Sequence, residues 1–172
     1  MSATRLFTLD DAAVLADLLR ENRAFLAPWE PIRAEDYFTV DGQRAVVRDA
    51  LEMHEQGLVV PHVILDETGR AVGRITLTGI VRGAFQSCSL GYWVSADSNG
   101  RGLATAAVRR MKQVAFEELG LHRIEAGILQ HNKGSQRVLE RNGFVRFGVA
   151  PAYLNIAGAW QDHAIYQVLN PA

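Results

Sequence analysis

Leu90-Gly91-Tyr92-Trp93-Val94, a connection from Ser95 to Asn99, and Gly100-Arg101-Gly102-Leu103-Ala104-Thr105 read together as a strand, a short loop and a turn into a helix. After Thr105 the apolar residues Ala107, Val108, Met111, Val114, Ala115 and Leu119 recur at helical spacing, which predicts a helix running to about Leu119. Two glycines flank Arg101 and let the backbone turn sharply without a Cβ clash. They leave the first amides of the helix bare, at the positive end of its dipole. That combination suits a phosphate or pyrophosphate. The expectation is a ligand with a phosphate-rich tail lying beside strand 90–94. From the glycines alone, a tight turn with no ligand is the simpler explanation of the stretch.

Working outward, the 172 residues are enough for one domain with a substantial core, burying roughly 70% of its unfolded surface. A composition of 48% hydrophobic and 22% charged residues is that of an ordinary globular protein. A net charge of -1 gives no general attraction to nucleic acid, so no nucleic-acid partner is expected. No apolar run approaches the ~20 residues of a membrane span, and no membrane partner is expected. The opening Met1-Ser2-Ala3-Thr4-Arg5 lacks the apolar core of a signal peptide, which implies a cytoplasmic protein. The single cysteine, Cys88, excludes an internal disulfide and sits in a strand-like run where a buried, inert thiol is expected.

Along the chain, residues 4–8 read as a strand. Thr8 with Asp11, or Asp10 alone, is placed to cap a helix with Val14, Leu15, Leu18 and Leu19 on one face. That helix fades near Asn22. In Phe25-Leu26-Ala27-Pro28-Trp29-Glu30-Pro31 two prolines argue against a regular helix, leaving a stiff aromatic loop that is either a connector or a pocket wall. Residues 41–56 carry a second helical pattern. Residues 58–66 and 71–80 are strands joined at Glu67-Thr68-Gly69-Arg70, and with the strand ending at Val94 they make an antiparallel meander. Gly120 ends the long helix, residues 123–129 form a strand, and Asn132 caps a short helix stopped at Asn142-Gly143. Strands 144–154 and 162–169 follow, joined at Ala157-Gly158. The fold class is α/β, an α+β layered arrangement with a mixed central sheet and flanking helices, in a single domain spanning 1–172.

Several chemistries are unsupported. Thr105 stands where a dinucleotide fingerprint needs glycine or alanine, and no Gly-Lys-Ser/Thr occurs. The five histidines lack zinc spacing, so no metal is expected. No Gly-x-Ser-x-Gly elbow marks a serine hydrolase. The turn 100–104 opening a helix instead suits the pyrophosphate of an acyl-coenzyme A. In His131-Asn132-Lys133-Gly134-Ser135, Asn132 is explained as an N-cap, and Ser135 sits one turn in, facing either a ligand or water. Lys133, Arg137 and Arg141 form a solvated face or help hold phosphates.

Taken together these residues resemble the GCN5-related N-acetyltransferase (GNAT) superfamily, and within it the RimJ/RimL-like branch of ribosomal-protein-alanine acetyltransferases. The resemblance covers nearly the whole chain. It is carried by residues 21–31 with Pro28-Trp29-Glu30-Pro31, Val81-Arg82-Gly83-Ala84-Phe85, Leu90-Gly91-Tyr92, Gly100-Arg101-Gly102-Leu103, and His122-Arg123-Ile124. His131-Asn132-Lys133 with Ser135, Gly143-Phe144 and Trp160-Gln161-Asp162-His163 complete it. It implies a splayed parallel pair of strands near 90–94 and 123–129, whose unpaired backbone groups would meet pantetheine amides. It also implies acetyl-CoA as cosubstrate. Tyr92, Trp93 and Val94 would then line the pantetheine, and Gly100, Arg101, Gly102, Leu103, Ala104 and Thr105 would cradle the phosphates. Asn132 and Ser135 would stand near the thiol.

The chain departs from the family pattern at three places. Asn99 replaces a usual Gln or Arg. Leu139 replaces the tyrosine that protonates the departing thiolate in many members, so the resemblance passes that role to Ser135, acting directly or by stabilising the thiolate, as proposed for RimL-type relatives. Around Phe147 and Ala152 acidic residues found in relatives are missing. An α-amine, with a reference pKa near ~8, needs less help to lose its proton than a lysine near ~10.4, so a chain without an obvious strong base leans to an α-amine acceptor. Glu30 is the candidate base or ammonium anchor, with Trp29 and Tyr92 as further acceptor-site residues. The expected partner is a protein N-terminus, plausibly ribosomal. A small amine (antibiotic, polyamine or amino acid derivative) is the alternative acceptor, a CoA-binding sensor without catalysis is the alternative class, and a homodimer stays open.

Overall fold

The computed structural model describes residues 3–171, so Met1 and Ser2 of the opening segment lie outside the described residues. Strand β1 (Thr4–Leu6) leads into helix α1 (Asp11–Glu21), a single turn α2 (Arg23–Leu26) and helix α3 (Val40–Glu55). The meander β2 (Val60–Leu65), β3 (Ala71–Val81) and β4 (Ser87–Val94) follows. Helix α4 (Leu103–Gln113), strand β5 (Arg123–Leu129), helix α5 (Lys133–Arg141) and the hairpin β6 (Val145–Ile156) and β7 (Ala159–Leu169) complete the chain. The seven strands form one mixed sheet in the order β1-β2-β3-β4-β5-β7-β6. Every pair is antiparallel except β4 with β5.

Period-2 alternation sends the strand side chains to two different cores. On one face Ile75, Leu77, Leu90, Val94, Ile124 and Tyr166 pack with Val108 and Met111 of α4 and Leu139 of α5. On the other face Val63, Ala71 and Trp93 pack with Leu15 and Leu19 of α1 and Val47 of α3. Burying each such side chain contributes roughly 1.5–3 kcal/mol, enough to fix which face every strand residue takes.

The parallel pair is splayed, as expected. Pairing of β4 with β5 holds at Ser87, Cys88 and Ser89, opposite Arg123, Ile124 and Glu125, and goes no further. Residues 90–94 remain bonded to β3 on their other side, while residues 126–129 are bonded to β7. Between the two strands a gap opens through the sheet, and backbone groups along it have no strand partner.

Local details differ from the sequence reading for identifiable reasons. Neither Asp10 nor Thr8 caps α1 through its side chain. The expected pairing of Thr8 with Asp11 does form, through Asp11, which accepts the Thr8 amide at 2.7 Å together with two bonds from Arg5. The proline stretch is not a plain loop: α2 and a 3-10 turn, Ala27–Trp29, fill it, with Pro28 at an early helical position where no amide is needed. The helix after Thr105 reaches position 118, but its last turn, Val114–Glu118, widens to a π-helix as the Leu119 amide reaches back to the Val114 carbonyl. Helix α3 is capped by Thr39, whose hydroxyl accepts the Gly42 amide. The last hairpin turns at Ala157-Gly158 with both residues at positive φ (53° and 83°), and its strands extend closer to the turn than expected.

Candidate active site

Two clefts flank the gap in the sheet. The first, about 550 Å³, lies on the α4–α5 side. Its upper wall is the turn into α4, where Gly100 and Gly102 stand at φ +75° and +77° with open space where a Cβ would project. No side chain caps α4, so the amides of Leu103, Ala104 and Thr105 face the cleft unanswered. Gly100, Gly102, Leu103, Ala104 and Thr105 all line it, together with Tyr92, Trp93 and Val94. Arg101 does not: its side chain pairs with Glu67 in the β2–β3 turn. Arg137 and Arg141 line the cleft, whereas Lys133 does not. The positive end of α4 and two arginines thus face one elongated space.

Buried Asn22 explains why the end of α1 belongs to this arrangement. Its side-chain carbonyl accepts the Ala96 amide at 2.8 Å, pinning the loop between β4 and α4 against the end of α1. Asn132 acts as the N-cap of α5, accepting the Ser135 amide at 3.1 Å.

The second cleft, about 690 Å³, lies on the α1–α3 face. Its floor is the row Arg74, Thr76 and Thr78 of β3, with Gly91 and Trp93 of β4, Gly127 and Leu129 of β5, and His163 of β7. Helix α3 walls it with Asp49, Ala50 and Met53, and Trp29, Glu30 and Pro31 form its rim. The rim is held at both ends. The Glu30 carbonyl accepts the Ala157 amide at 2.9 Å, and the Trp29 ring lies 5.3 Å from that of His131.

Trp29, Tyr92, Trp93, Asn132 and Ser135 line both clefts, so the two spaces meet at the gap. At that junction the Tyr92 phenol and the Ser135 hydroxyl are 2.7 Å apart. Burial, partly offset by the bond to Ser135, pushes the Tyr92 phenol up to about 12, so it keeps its proton at neutral pH. When the phenol donates to Ser135, the serine proton is released toward a third group. Leu139 is wholly buried in the α4–α5 core and reaches neither cleft. A phenol therefore serves this junction from β4 rather than from α5. Cys88 is buried, and burial pushes its thiol up to about 12, which leaves it unreactive. Among the described residues no group of three His, Cys, Asp or Glu side chains is placed to hold a metal ion. No described helix is long and apolar enough to cross a membrane.

Residues 4–145 match the family model described as "Acetyltransferase (GNAT) domain". The chain belongs to the GNAT acetyltransferases. It is 41% identical over 162 residues to the protein described as "Probable N-acetyltransferase YjcK" of Bacillus subtilis, covering 94% of this chain and 90% of that protein. It is 37% identical over 166 residues to the [ribosomal protein uS5]-alanine N-acetyltransferase of Escherichia coli, with 94% and 84% covered. The solved structure of Mycobacterium smegmatis RimJ in complex with CoA-disulfide superposes with a TM-score of 0.92 at 31% identity, over 96% of this chain and 80% of that one. This GNAT protein is thus an N-acetyltransferase with RimJ-like relatives.

Five polar residues lining the second cleft went unassigned by the sequence reading: Asp49, Arg74, Thr76, Thr78 and His163. Arg74 and the two threonines alternate with buried Ile75 and Leu77 on a central strand. A polar row on the inner face of such a strand is itself a sign of a cleft. His163 belongs to a stretch noted for its resemblance but given no task.

Proposed function

We propose that this GNAT enzyme moves the acetyl group of acetyl-CoA directly to the N-terminal α-amine of a protein, a ribosomal protein being the class suggested by its uS5-alanine-modifying relative. The observation that carries the reading is the meeting of the two clefts at Tyr92 and Ser135. The α4–α5 cleft offers what acetyl-CoA needs. Free amides at the start of α4, with Arg137 and Arg141 nearby, suit its phosphates, and unpaired backbone of residues 90–94 suits its pantetheine amides. The CoA complex of RimJ, at 31% identity, supports the same donor. In this reading Asn132 and Ser135 flank the thioester, and a backbone amide of the 92–94 segment polarises its carbonyl. Ser135, backed by the Tyr92 phenol, supplies a proton to the thiolate as it leaves.

The α1–α3 cleft takes the acceptor. Glu30 and Asp49 present carboxylates to an ammonium group, while Arg74, Thr76 and Thr78 offer donors to the carbonyls of a short extended peptide. Trp29 marks the boundary between donor and acceptor. Such a protein would work in the cytoplasm, where acetyl-CoA and nascent ribosomal proteins occur together.

Acceptor profiling by release of free CoA thiol tests this. A peptide with a free N-terminal alanine is expected to be acetylated on its α-amine. The same peptide with a blocked N-terminus and an internal lysine is expected to be inert. Turnover on polyamines or other small amines, with no N-terminal peptide accepted, would replace the protein acceptor by a small one. Acetyl-CoA binding without turnover on any amine would favour a sensor.

A further inference from the structure

His163 is 3% exposed, yet it lines the acceptor cleft close to the open end of the sheet gap, opposite Leu129 in the β5–β7 register. Its Nδ1 lies 2.9 Å from the Gln161 carbonyl. A carbonyl oxygen only accepts, so the proton of the neutral ring sits on Nδ1 and the lone pair on Nε2. Nε2 has no hydrogen-bond partner among the described residues. The ring is also held in place sterically. At Ala152, with φ +46°, β6 bulges, and the Ala152 amide is fixed by Asp162 at 2.9 Å. The bulge brings the Tyr153 ring edge-on to His163, 5.6 Å away, over Gly127, where a Cβ would meet that ring at 3.2 Å. A bulge that re-aims an aromatic ring, a missing Cβ beneath it and a carbonyl that fixes the tautomer all serve one imidazole.

We propose that His163 is the general base of this acetyltransferase, taking the acceptor's ammonium proton at Nε2. The proposal rests on the two-cleft reading above and assigns the deprotonating group within it. Glu30, Asp49 and Arg74, each from a different element, are the other charged groups of that cleft. They hold the acceptor while the imidazole accepts its proton. The neutral nitrogen then attacks the thioester carbon, and the C–S bond breaks. The thiolate takes the Ser135 proton, and Ser135 takes that of Tyr92. The second proton lost by nitrogen as the amide forms returns to the phenol through water, and His163 releases its own to solvent. The products are the acetamide, the CoA thiol and one proton.

The test is His163→Asn, whose side-chain amide preserves the donor to the Gln161 carbonyl while removing the base. With whichever amine the wild type acetylates, kcat is expected to fall ~10²-fold while the KM for acetyl-CoA is unchanged. Hydroxylamine, already neutral at assay pH, is expected to lose far less. Imidazole added to His163→Ala is expected to restore part of the rate with the ordinary amine. If His163→Asn does not fold, His163→Gln carries the same comparison. Equal losses for both nucleophiles with no imidazole rescue, or an unchanged kcat, would overturn the assignment. Refusal of N-terminal peptides by the wild type would instead overturn only the acceptor class, because small amines still report on His163.

Discussion

The two clefts share a junction but are built differently. The donor side is made largely of backbone: bare amides at the start of α4, glycines at positive φ, and strand groups left unpaired where β4 parts from β5. The acceptor side is made of side chains drawn from a loop, a helix and three strands: Glu30, Asp49, Arg74, Tyr92 and His163. A backbone-built site recognises what all acetyl-CoA molecules have in common and tolerates changes of side chain. A side-chain-built site can be rewritten one residue at a time. In the proposed reading the donor half sets the reaction and the acceptor half sets the substrate.

Substitutions that act on one half alone put this division at risk. The largest expected effect is at the junction. Ser135→Ala should lower kcat by ~10²–10³-fold with little change in the KM for acetyl-CoA, and Tyr92→Phe should cost ~10-fold. If the two groups pass one proton, as proposed, the double variant should be scarcely worse than Ser135→Ala alone; steady-state kinetics on all four proteins would reveal simple additivity if they act separately.

Next in size is an effect belonging to the framework rather than to either cleft. His62, on β2, is buried beside Thr4 Oγ1, and burial, helped by Arg110, lowers its pKa from 6.5 to about 4. The unfolded chain binds this proton below pH 6.5 and the folded one does not until about pH 4, so stability present above pH 6.5 is lost as pH falls toward 4. The loss is about 3 kcal/mol at most, by the ~1.4 kcal/mol equivalence of one pKa unit. Urea melts across that range should show it, and His62→Gln should flatten it.

Gly102→Val should weaken acetyl-CoA binding about tenfold, because the turn relaxes out of a left-handed conformation that costs a β-branched residue roughly 1–2 kcal/mol and binding must restore it, while leaving kcat at saturation. Titration calorimetry measures the first and saturating kinetics the second. Smallest is Glu30→Gln, expected to raise the acceptor KM only ~3–5-fold, as befits a half-buried carboxylate, with the acetyl-CoA KM unmoved. If Glu30→Gln moved the acetyl-CoA KM instead, the assignment of this rim to the acceptor would fail.

The same division explains what could be read from the sequence. The glycines at 100 and 102, the alternation in β4 and the helical spacing after Thr105 are local signals, and they delivered the turn, the strand and the helix in the right order. The splay was expected from resemblance and stands at Ser89 and Glu125. What was not legible depends on long-range assembly. The Tyr92–Ser135 contact spans 43 positions and needs the gap to open before the phenol can cross to α5. Leu139 was noted as the missing tyrosine, but nothing local says that β4 brings a phenol to Ser135. His163 carries no spacing signal, and its tautomer depends on a single carbonyl. At α1 the Thr8–Asp11 pair was legible as a local signal, whereas the part played by Arg5, which bonds Asp11 only because β1 lies beside the helix, was not. The π-turn at Val114–Glu118 likewise leaves helical spacing intact and has no local mark.

Whether donor and acceptor meet through the gap at Tyr92 and Ser135 can be seen in a crystal structure of the protein with CoA bound. Phosphates are expected at the amides of residues 103–105, pantetheine along residues 92–94, and the sulfur within hydrogen-bond reach of Ser135 Oγ, facing the cleft floored by Arg74 and His163. A CoA whose sulfur emerges away from Ser135, or whose chain does not enter the gap between β4 and β5, would contradict that meeting.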